Sequence, residues 1–238
     1  MVEKDKVVKY YDGFVTEQEK RGVNSRHLHI IDKLRAAGLQ PHHRVLEVGC
    51  GIGTVSHLIA KKTPDGSVLA VDISPESIGK AKSLWSAYKN LTFEVSDMKD
   101  FQKPKMKFDF IVFPDVLEHI PVEDHLALFQ TIQKHAAKGA VIFIHIPAPR
   151  FLEWMIKNEP EKLQVIDQPL DTGKLVQDVS QCGFFLHQME TYSIFYIEND
   201  YQYFVFKAQE PLSGARVRSK WAIWFERMNI RVRNRLKN

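Results

Sequence analysis

Cysteine is scarce in this sequence, since Cys50 and Cys182 are the only two among 238 residues. Two cysteines cannot form the disulfide framework that stabilises small secreted domains, so we expect reducing conditions. Residues 1–20 lack the apolar core that a signal peptide needs. Long apolar runs are also missing, because none approaches the roughly 18 residues of a membrane span. These absences predict a cytoplasmic protein.

An excess of positive charge is missing over most of the chain, although the formal net charge is +4. Residues 209–238 hold eight Lys or Arg and two acids, so residues 1–208 are slightly acidic. The main part of the chain therefore lacks the basic excess that is typical of nucleic-acid-binding domains. We expect a substrate other than nucleic acid.

One glycine is missing from an otherwise familiar pattern at 45–54. The apolar run 45–48, which includes one acid, leads into glycines at Gly49, Gly51 and Gly53, and a helical pattern begins at Thr54. A buried strand, a tight turn and a helix N-terminus favour a nucleotide-like ligand. The dinucleotide fingerprint would require its third glycine at position 54. The threonine there disfavours an NAD-dependent oxidoreductase, which remains an alternative from another class.

Apolar runs alternate with helical patterns along the rest of the chain. The run at 140–146 is apolar almost throughout, which is typical of a sheet covered on both faces. The predicted strands lie at about 44–50, 68–73, 91–95, 108–113, 140–146, 184–193 and 201–208. This order predicts an α/β fold with a doubly wound, mostly parallel, seven-stranded Rossmann-like sheet that ends in a C-terminal antiparallel hairpin.

Composition divides the chain into three predicted parts. Residues 1–40 form an N-terminal capping segment and a helix, and 41–208 form the domain that carries the site. Within that domain four prolines between 147 and 169 interrupt the alternation, and we interpret 148–170 as a lid insertion. Residues 209–238 are predicted to be a basic amphipathic tail, preceded by a hinge that begins at 210.

Acidic residues follow three successive strands of the predicted sheet. Asp72 ends the second strand, Asp97 follows the third and Asp115 follows the fourth. Ligands of such sheets bind outside the carboxyl ends of the strands, and an acid about 20 residues after the glycines can bind ribose hydroxyls. A single strand-end acid can simply cap a helix. Three of them beside a glycine turn indicate a nucleoside site.

These motifs resemble those of class I S-adenosylmethionine-dependent methyltransferases. The resemblance is carried by Glu47-x-Gly-Cys-Gly-x-Gly53, Asp72, Ser96-Asp97 and the stretch Phe-Pro-Asp-Val-Leu-Glu-His at 113–119. It extends well over 24–147 and loosely over 171–208. The likeness is greatest to small-molecule O-methyltransferases that act on ubiquinone precursors. It implies S-adenosyl-L-methionine as the cofactor.

The resemblance also implies which residues contact that cofactor. The implied set is Arg26, Glu47, Gly49, Gly51, Gly53, Asp72, Ile73, Asp97, Met98 and Val116. The methionine end would contact Glu47 and the glycine turn, Asp72 would bind the ribose, and residues 73 and 97–98 would surround the adenine. Arg26 resembles an arginine that pairs with the methionine carboxylate, for which a guanidinium is well suited. Its alternative is an ordinary solvated arginine.

His119 is the predicted catalytic residue. A hydroxyl acceptor must lose a proton, which requires a base or a metal, and His119 lies just past the fourth strand at the expected acceptor edge. The alternative is a histidine that caps or packs in the loop. His145 lies in an apolar strand and is interpreted as a core histidine, although the end of that strand also faces the cleft.

A divalent metal is the second way to activate an acceptor. Asp115, Glu118 and His119 are spaced so that a helical turn would bring them to one face. Some members of the family that the chain resembles have Glu-x-x-Glu-His here and use magnesium. An aspartate in the first position has a shorter reach. We therefore favour a hydrogen-bonded network over a magnesium site.

The predicted function is methyl transfer to a hydroxyl, or an amine, of a small molecule, glycan or lipid-linked acceptor. Segment 148–170 and the aromatic residues of the hairpin would select that acceptor, but a sugar, a polyketide-like hydroxyl and a quinone-like phenol all fit. An RNA or protein methyltransferase that docks through its tail is an alternative. So is a catalytically silent module that serves as an interaction partner.

The tail itself has the pattern of an amphipathic helix. Its apolar residues recur at helical spacing and are Trp221, Trp224, Phe225, Met228, Val232 and Leu236. Trp and Arg together on such a helix are typical of an interfacial membrane anchor. The alternatives are that the stripe packs on its own domain, forms the seam of a homodimer, or binds another partner.

Overall fold

The computed structural model describes residues 13, 15–103, 105–164, 166–211 and 214–235. Seven strands form one sheet in the order β3-β2-β1-β4-β5-β7-β6. They are β1 Arg44–Val48, β2 Ser67–Asp72, β3 Leu91–Val95, β4 Phe108–Pro114, β5 Ala136–Pro147, β6 Phe184–Tyr192 and β7 Tyr201–Ala208. The first five are parallel, and β7 is antiparallel to both β5 and β6. The predicted fold class and the terminal hairpin are confirmed.

Helices cover both faces of the sheet, except for the last one, which follows β7 and is exposed. They are α1 Ser25–Ala36, α2 Thr54–Lys62, α3 Pro75–Leu84, α4 His125–His135, α5 Pro149–Asn158, α6 Thr172–Gln181 and α7 Lys220–Arg235. Several of these helices are capped by the side chain of the residue that immediately precedes them. Asn24 accepts a hydrogen bond from the His27 amide and its own amide donates to the His27 ring; Ser74 and Asp171 cap α3 and α6. Side chains of this type satisfy amides that a helix start leaves unpaired.

Two hydrophobic cores lie on opposite faces of the sheet. One contains Phe113, Phe129 and Ile142, and the other contains Ile59 and Phe143. Successive residues of a strand point to opposite faces, so the adjacent residues 142 and 143 belong to different cores. Both are fully buried, which is why β5 reads as one continuous apolar run.

Several element ends differ from the sequence prediction. Strand β1 ends at Val48, not at 50, and β5 begins at Ala136, four residues before the predicted 140. Of the predicted capping segment, residues 15–21 are helical, and the expectation for 1–12 lies outside the described residues.

The direction of β7 places the tail far from the ligand edge. Tyr201, at the start of β7, pairs with Pro147 at the carboxyl end of β5. Ala208 therefore lies at the opposite edge of the sheet, and the chain leaves the domain there. Among the described helices, none combines the length and the apolar character needed to cross a bilayer.

Gly53 provides a test of the strand–turn–helix unit. Its φ is +79°, and an added Cβ would lie 2.7 Å from the Phe93 ring and 2.9 Å from Trp85. We expect Gly53→Ala to lower the free energy of unfolding by roughly 1–3 kcal/mol, measured by urea denaturation. Gly79→Ala is the matched control, because its Cβ meets nothing within 4 Å. Equal effects of the two changes would contradict this role for Gly53.

Candidate active site

A cavity of about 730 Å³ opens at the carboxyl edge of the sheet. It brings together residues from β1, β2, β4, α1 and the loops that follow the strands. The predicted site residues that line it are Arg26, Glu47, Gly49, Gly51, Asp72, Ile73, Asp97, Met98, Val116 and His119. Gly53 is not among the lining residues and instead packs against the Phe93 and Trp85 rings.

The glycine turn is held by the carboxylate at the end of β2. The Gly51 amide donates to Asp72 Oδ2 at 2.7 Å, and the Ser74 amide donates to Asp72 Oδ1 at 2.9 Å. Gly49 and Gly51 have φ of +75° and +52°, which glycine adopts without a steric cost. A Cβ on Gly49 would lie 2.3 Å from Val116 Cγ2. The turn therefore requires glycine at both positions.

Two other residues with left-handed backbone line the cavity. Met98 has φ +66° and Asp115 has φ +56°, a conformation that is uncommon outside glycine. The Met98 amide donates to Ser96 Oγ at 3.0 Å, and the Asp115 amide donates to the His145 carbonyl at 2.8 Å. Backbone strain of this kind concentrates at functional sites.

Glu47 is a fully buried carboxyl at the floor of the cavity. Neither of its oxygens has a hydrogen-bond partner among the described residues. The pKa of Glu47 is raised to about 8, chiefly by burial; Ser56 opposes the rise and the nearby Asp72 adds to it. An unpartnered buried carboxyl is costly to the fold. It is also suited to receiving a cation from a ligand.

Asp115 is the centre of a buried charged network. Its carboxylate pairs with Arg26 Nε at 3.2 Å and with His145 Nδ1 at 2.5 Å. Burial opposes the charge of Asp115, but His145 and Arg26 together hold its pKa below the usual value. The second ring nitrogen of His145 lies 2.7 Å from the Tyr192 hydroxyl. Arg26 Nη1 also donates to the Tyr201 hydroxyl at 3.5 Å.

Sequence reasoning did not predict this network. His145 is fully buried, as expected of a core histidine, but both of its nitrogens bond polar side chains. Tyr192 and Tyr201 belong to the aromatic residues of the hairpin, for which the sequence predicts only a role in selecting the acceptor. The available signal was the position of His145 near the carboxyl end of β5. The pairing of β5 with β7 is not visible in the sequence. This pairing stacks the Tyr201 ring on the His145 ring, with 5.0 Å between their centroids.

His119 lies on a short 3-10 turn, Leu117–His119, and its ring is anchored by the segment that follows α5. Nδ1 is 2.5 Å from the Ile166 carbonyl and 3.3 Å from Asp167 Oδ1. Burial lowers the pKa of His119, although Asp167 opposes the shift. The ring is therefore neutral near pH 7. The hydrogen bond to Ile166 places the proton on Nδ1, so that Nε2 carries the lone pair.

Two of the three residues considered for a magnesium site, which the sequence disfavoured, bond other groups of the chain. The Asp115 carboxylate bonds Arg26 and His145, while His119 bonds residues 166–167. Burial and the negative charge of Asp115 raise the pKa of Glu118 well above its usual value. Across the described ranges, no group of three or more His, Cys, Asp or Glu side chains is arranged to hold a metal ion.

Fold and site together define the class I methyltransferase architecture, in which a mostly parallel sheet with an antiparallel hairpin carries a cavity at its carboxyl edge. The family model described as "Methyltransferase domain" matches residues 20–211. The chain belongs to this family, and the resemblance seen in its motifs is confirmed.

Curated relatives match part of the chain. It is 32% identical over 123 residues to malonyl-[acyl-carrier protein] O-methyltransferase 1 of Ilyobacter polytropus, covering 51% of this chain and 41% of that protein. It is 28% identical over 109 residues to trans-aconitate 2-methyltransferase of Deinococcus radiodurans, covering 46% and 40%. The chain thus spans less than half the length of these two relatives.

Solved structures match more of the chain at lower identity. Magnesium protoporphyrin IX methyltransferase from Synechocystis PCC 6803 with bound SAH superposes with a TM-score of 0.69 and 21% identity, covering 87% of this chain and 100% of that one. A chain from the complex of the Haloferax volcanii Trm112 methyltransferase activator with a putative methyltransferase gives 0.72 and 14%, with the same coverage. At such identities the likeness establishes the fold.

The raised pKa of Glu47 predicts a pH-dependent cost to stability. Unfolded glutamate ionises near pH 4.5, whereas folded Glu47 stays protonated up to about pH 8, so stability falls as pH rises between these values. We expect Glu47→Gln to be as stable as the wild type near pH 5 and more stable by at least about 1 kcal/mol at pH 8. Urea denaturation at both pH values measures this.

The exposed Glu123 serves as the control. Glu123→Gln should change stability by the same small amount at both pH values. A Glu47→Gln difference that does not vary with pH would show that Glu47 is ionised in the folded protein.

Proposed function

We propose that this chain transfers a methyl group from S-adenosyl-L-methionine to a hydroxyl, or an amine, of a small-molecule, glycan or lipid-linked acceptor. One observation carries the proposal: a single cavity is lined by the glycine turn and strand-end acids on one side and by the neutral His119 on the other. A donor and an acceptor can therefore occupy it together. This fits the family to which the chain belongs.

The residues present fit the cofactor. The two unpartnered oxygens of buried Glu47 are suited to its ammonium group. Arg26 would hold its carboxylate and Asp72 its ribose hydroxyls, and residues 73 and 97–98 would surround the adenine. Val116 and Gly49, which are already in close approach, would flank it. Gly53 supports the turn from behind.

When bound, S-adenosyl-L-methionine supplies a methyl group that its sulfonium already activates. The chain's contribution is to align the acceptor, exclude water and remove a proton. Alignment alone can supply about 7–11 kcal/mol of a barrier. The proton of a hydroxyl acceptor would pass to Nε2 of His119, because Nδ1 is engaged with the Ile166 carbonyl. The protonated Nε2 would then face the Glu118 carboxyl, 3.8 Å away.

Segment 148–170 is proposed as the lid over the acceptor. Helix α5 presents Phe151, Leu152 and Met155 to the cavity. Its start is tied to the hairpin loop, since the Ala148 amide donates to the Asp200 carbonyl at 2.9 Å. The end of the segment is tied to the turn of His119, because Gln168 Nε2 donates to the Ile120 carbonyl at 2.8 Å. Closing the lid would therefore also position the base.

The rim of the cavity favours an acceptor with an apolar part. Phe195, which lines it, is 56% exposed, and Phe151, Leu152 and Met155 add further apolar surface. The names of the relatives add carboxylic acids and acyl-carrier thioesters to the acceptors worth testing. A carboxylate acceptor is already ionised at neutral pH and needs no base. Dependence on His119 therefore separates hydroxyl from carboxylate acceptors.

The cofactor assignment can be tested at Asp72. Asp72→Ala removes the carboxylate proposed to bind the ribose, and charge-assisted hydrogen bonds are worth roughly 1.5–3 kcal/mol. We expect S-adenosylhomocysteine affinity, measured by calorimetry, to fall roughly 10- to 100-fold. The exposed Asp65, which is outside the cavity, supplies the control Asp65→Ala.

The wild type should bind S-adenosylhomocysteine and not NADH. Thermal unfolding of Asp72→Ala must be checked, because the change also removes the bond to the Gly51 amide. Unchanged affinity in a folded Asp72→Ala variant would sink the assignment of Asp72 to the ribose.

The role of His119 can be tested with an isosteric change. Asn at position 119 keeps a donor where Nδ1 lies but has no basic nitrogen at Nε2. With a hydroxyl acceptor, we expect His119→Asn to lower turnover by on the order of a hundredfold, with S-adenosylhomocysteine affinity nearly unchanged. The wild-type rate should fall with acid through a pKa below the usual 6.5, because protonation removes the base.

Acceptors would be found by measuring S-adenosylhomocysteine release with phenols, sugars, trans-aconitate and malonyl thioesters. Wild-type turnover of a hydroxyl acceptor by His119→Asn would make His119 structural. Retained turnover of a carboxylate acceptor alone would instead identify a reaction that needs no base.

A further inference from the structure

Helix α7 presents an apolar arc that nothing in the described structure covers. Every described side chain from 220 to 233 is exposed. The arc holds five residues that cluster within about 100° of the helical wheel: Trp221, Trp224, Phe225, Met228 and Val232. Trp221 is 72% exposed and Phe225 is 58% exposed. Such large aromatic surface is unusual on a domain in water.

Basic residues border this arc on one side. At 3.6 residues per turn, Lys220, Arg227 and Arg231 lie together next to Trp224 on the wheel. The one acid in 214–235, Glu226, is paired with Arg218 at 2.7 Å. The helix therefore offers an apolar strip with a positive border, and its long basic side chains can extend beyond the strip.

We propose that α7 is a docking helix for an anionic lipid bilayer, lying in the plane of the interface. Tryptophan at the edge of an apolar strip, with Arg and Lys alongside, matches the chemistry of lipid headgroups over acyl chains. Antiparallel packing of two copies arc to arc would bring the two basic borders together, which opposes that form of dimer seam. Charge complementarity thus selects an anionic surface as the occupant.

The connection to the domain permits this orientation. The domain is tied down as far as Gln209, whose amide donates to the Gly183 carbonyl at 2.8 Å. Residues 214–219 have no regular secondary structure. Nine residues from 211 to 219 can span at most about 30 Å. The helix can therefore lie on a surface without disturbing the sheet or the cavity, and the proposal does not depend on the proposed reaction.

The test uses the full chain and vesicles of phosphatidylcholine with or without phosphatidylglycerol. We expect the protein to sediment with the anionic vesicles at about 0.05 M salt and to be released at about 0.5 M, because salt screens the attraction. It should remain in the supernatant with pure phosphatidylcholine. Tryptophan emission should shift to shorter wavelength only with the anionic vesicles.

Matched variants at exposed positions distinguish binding through one face of α7 from non-specific electrostatic attraction between the basic tail and the vesicle. Arg231 borders the arc and Arg233 lies on the opposite side of the wheel, so Arg231→Gln and Arg233→Gln change the net charge equally. We expect Arg231→Gln to weaken vesicle binding about fivefold, the effect of one basic residue near an anionic surface, and Arg233→Gln to have less effect. Trp224→Ser should abolish binding, while Ile223→Ser on the other face should not.

Three results would overturn the proposal. The first is a wild-type protein that stays in the supernatant at low salt. The second is equal weakening by Arg231→Gln and Arg233→Gln, which would indicate attraction without a docking face. The third is a different occupant in place of vesicles: either a dimer that light scattering detects in the wild type and that Trp224→Ser abolishes, or binding of single-stranded RNA. Those last outcomes would assign the arc to a second copy or to RNA.

Discussion

The hydrogen bond from the Gly51 amide to Asp72 is the contact on which the site depends, because it joins the turn after β1 to the end of β2. Parallel strands leave their carboxyl ends at one edge, and the chain there has to reverse within the five residues between Val48 and Thr54. The left-handed backbone at Gly49 and Gly51 makes the reversal possible. The carboxylate that fixes this turn also faces the cavity, so the geometry of the turn and the recognition of a ligand are coupled.

Buried charge is the second constraint, and the site distributes it unequally. Asp115 is compensated by Arg26 and His145, which keeps its pKa low in spite of burial. Glu47 has no such partner among the described residues, and burial raises its pKa to about 8. An apolar core of this size could omit both groups without loss of stability. The unequal compensation of the two acids is the reason why we propose Glu47 as the group that receives a cation of the ligand.

The sequence could predict the features that depend on local order. The glycine turn follows directly from β1, and Asp72 and Asp97 follow directly from their strands, so a coarse assignment of strands was enough to place them at one edge. The Asp115–His145–Tyr192 network depends instead on which strands are neighbours, and β5 lies between β4 and β7 only in the folded sheet. The anchor of His119 at Ile166 lies in an irregular segment with no periodic signal. Element ends were less predictable: β5 begins at Ala136, ahead of the apolar run at 140–146 that marks it in the sequence.

The two halves of the cavity are subject to different structural constraints. This difference explains why membership of the family does not identify the acceptor. The half formed by the ends of β1, β2 and β4 is tied to the sheet through backbone hydrogen bonds, so its residues cannot change without altering the turn. The other half comes from α5 and the 193–200 loop, which buried Asp200 holds through the Ile194 and Phe195 amides. Side chains on that half, such as Phe151 and Tyr196, can be exchanged without disturbing the strands. The acceptor must therefore be inferred from the chemistry of this half, which presents the apolar Phe151, Leu152 and Phe195 to the cavity beside the polar Lys162 and Gln164.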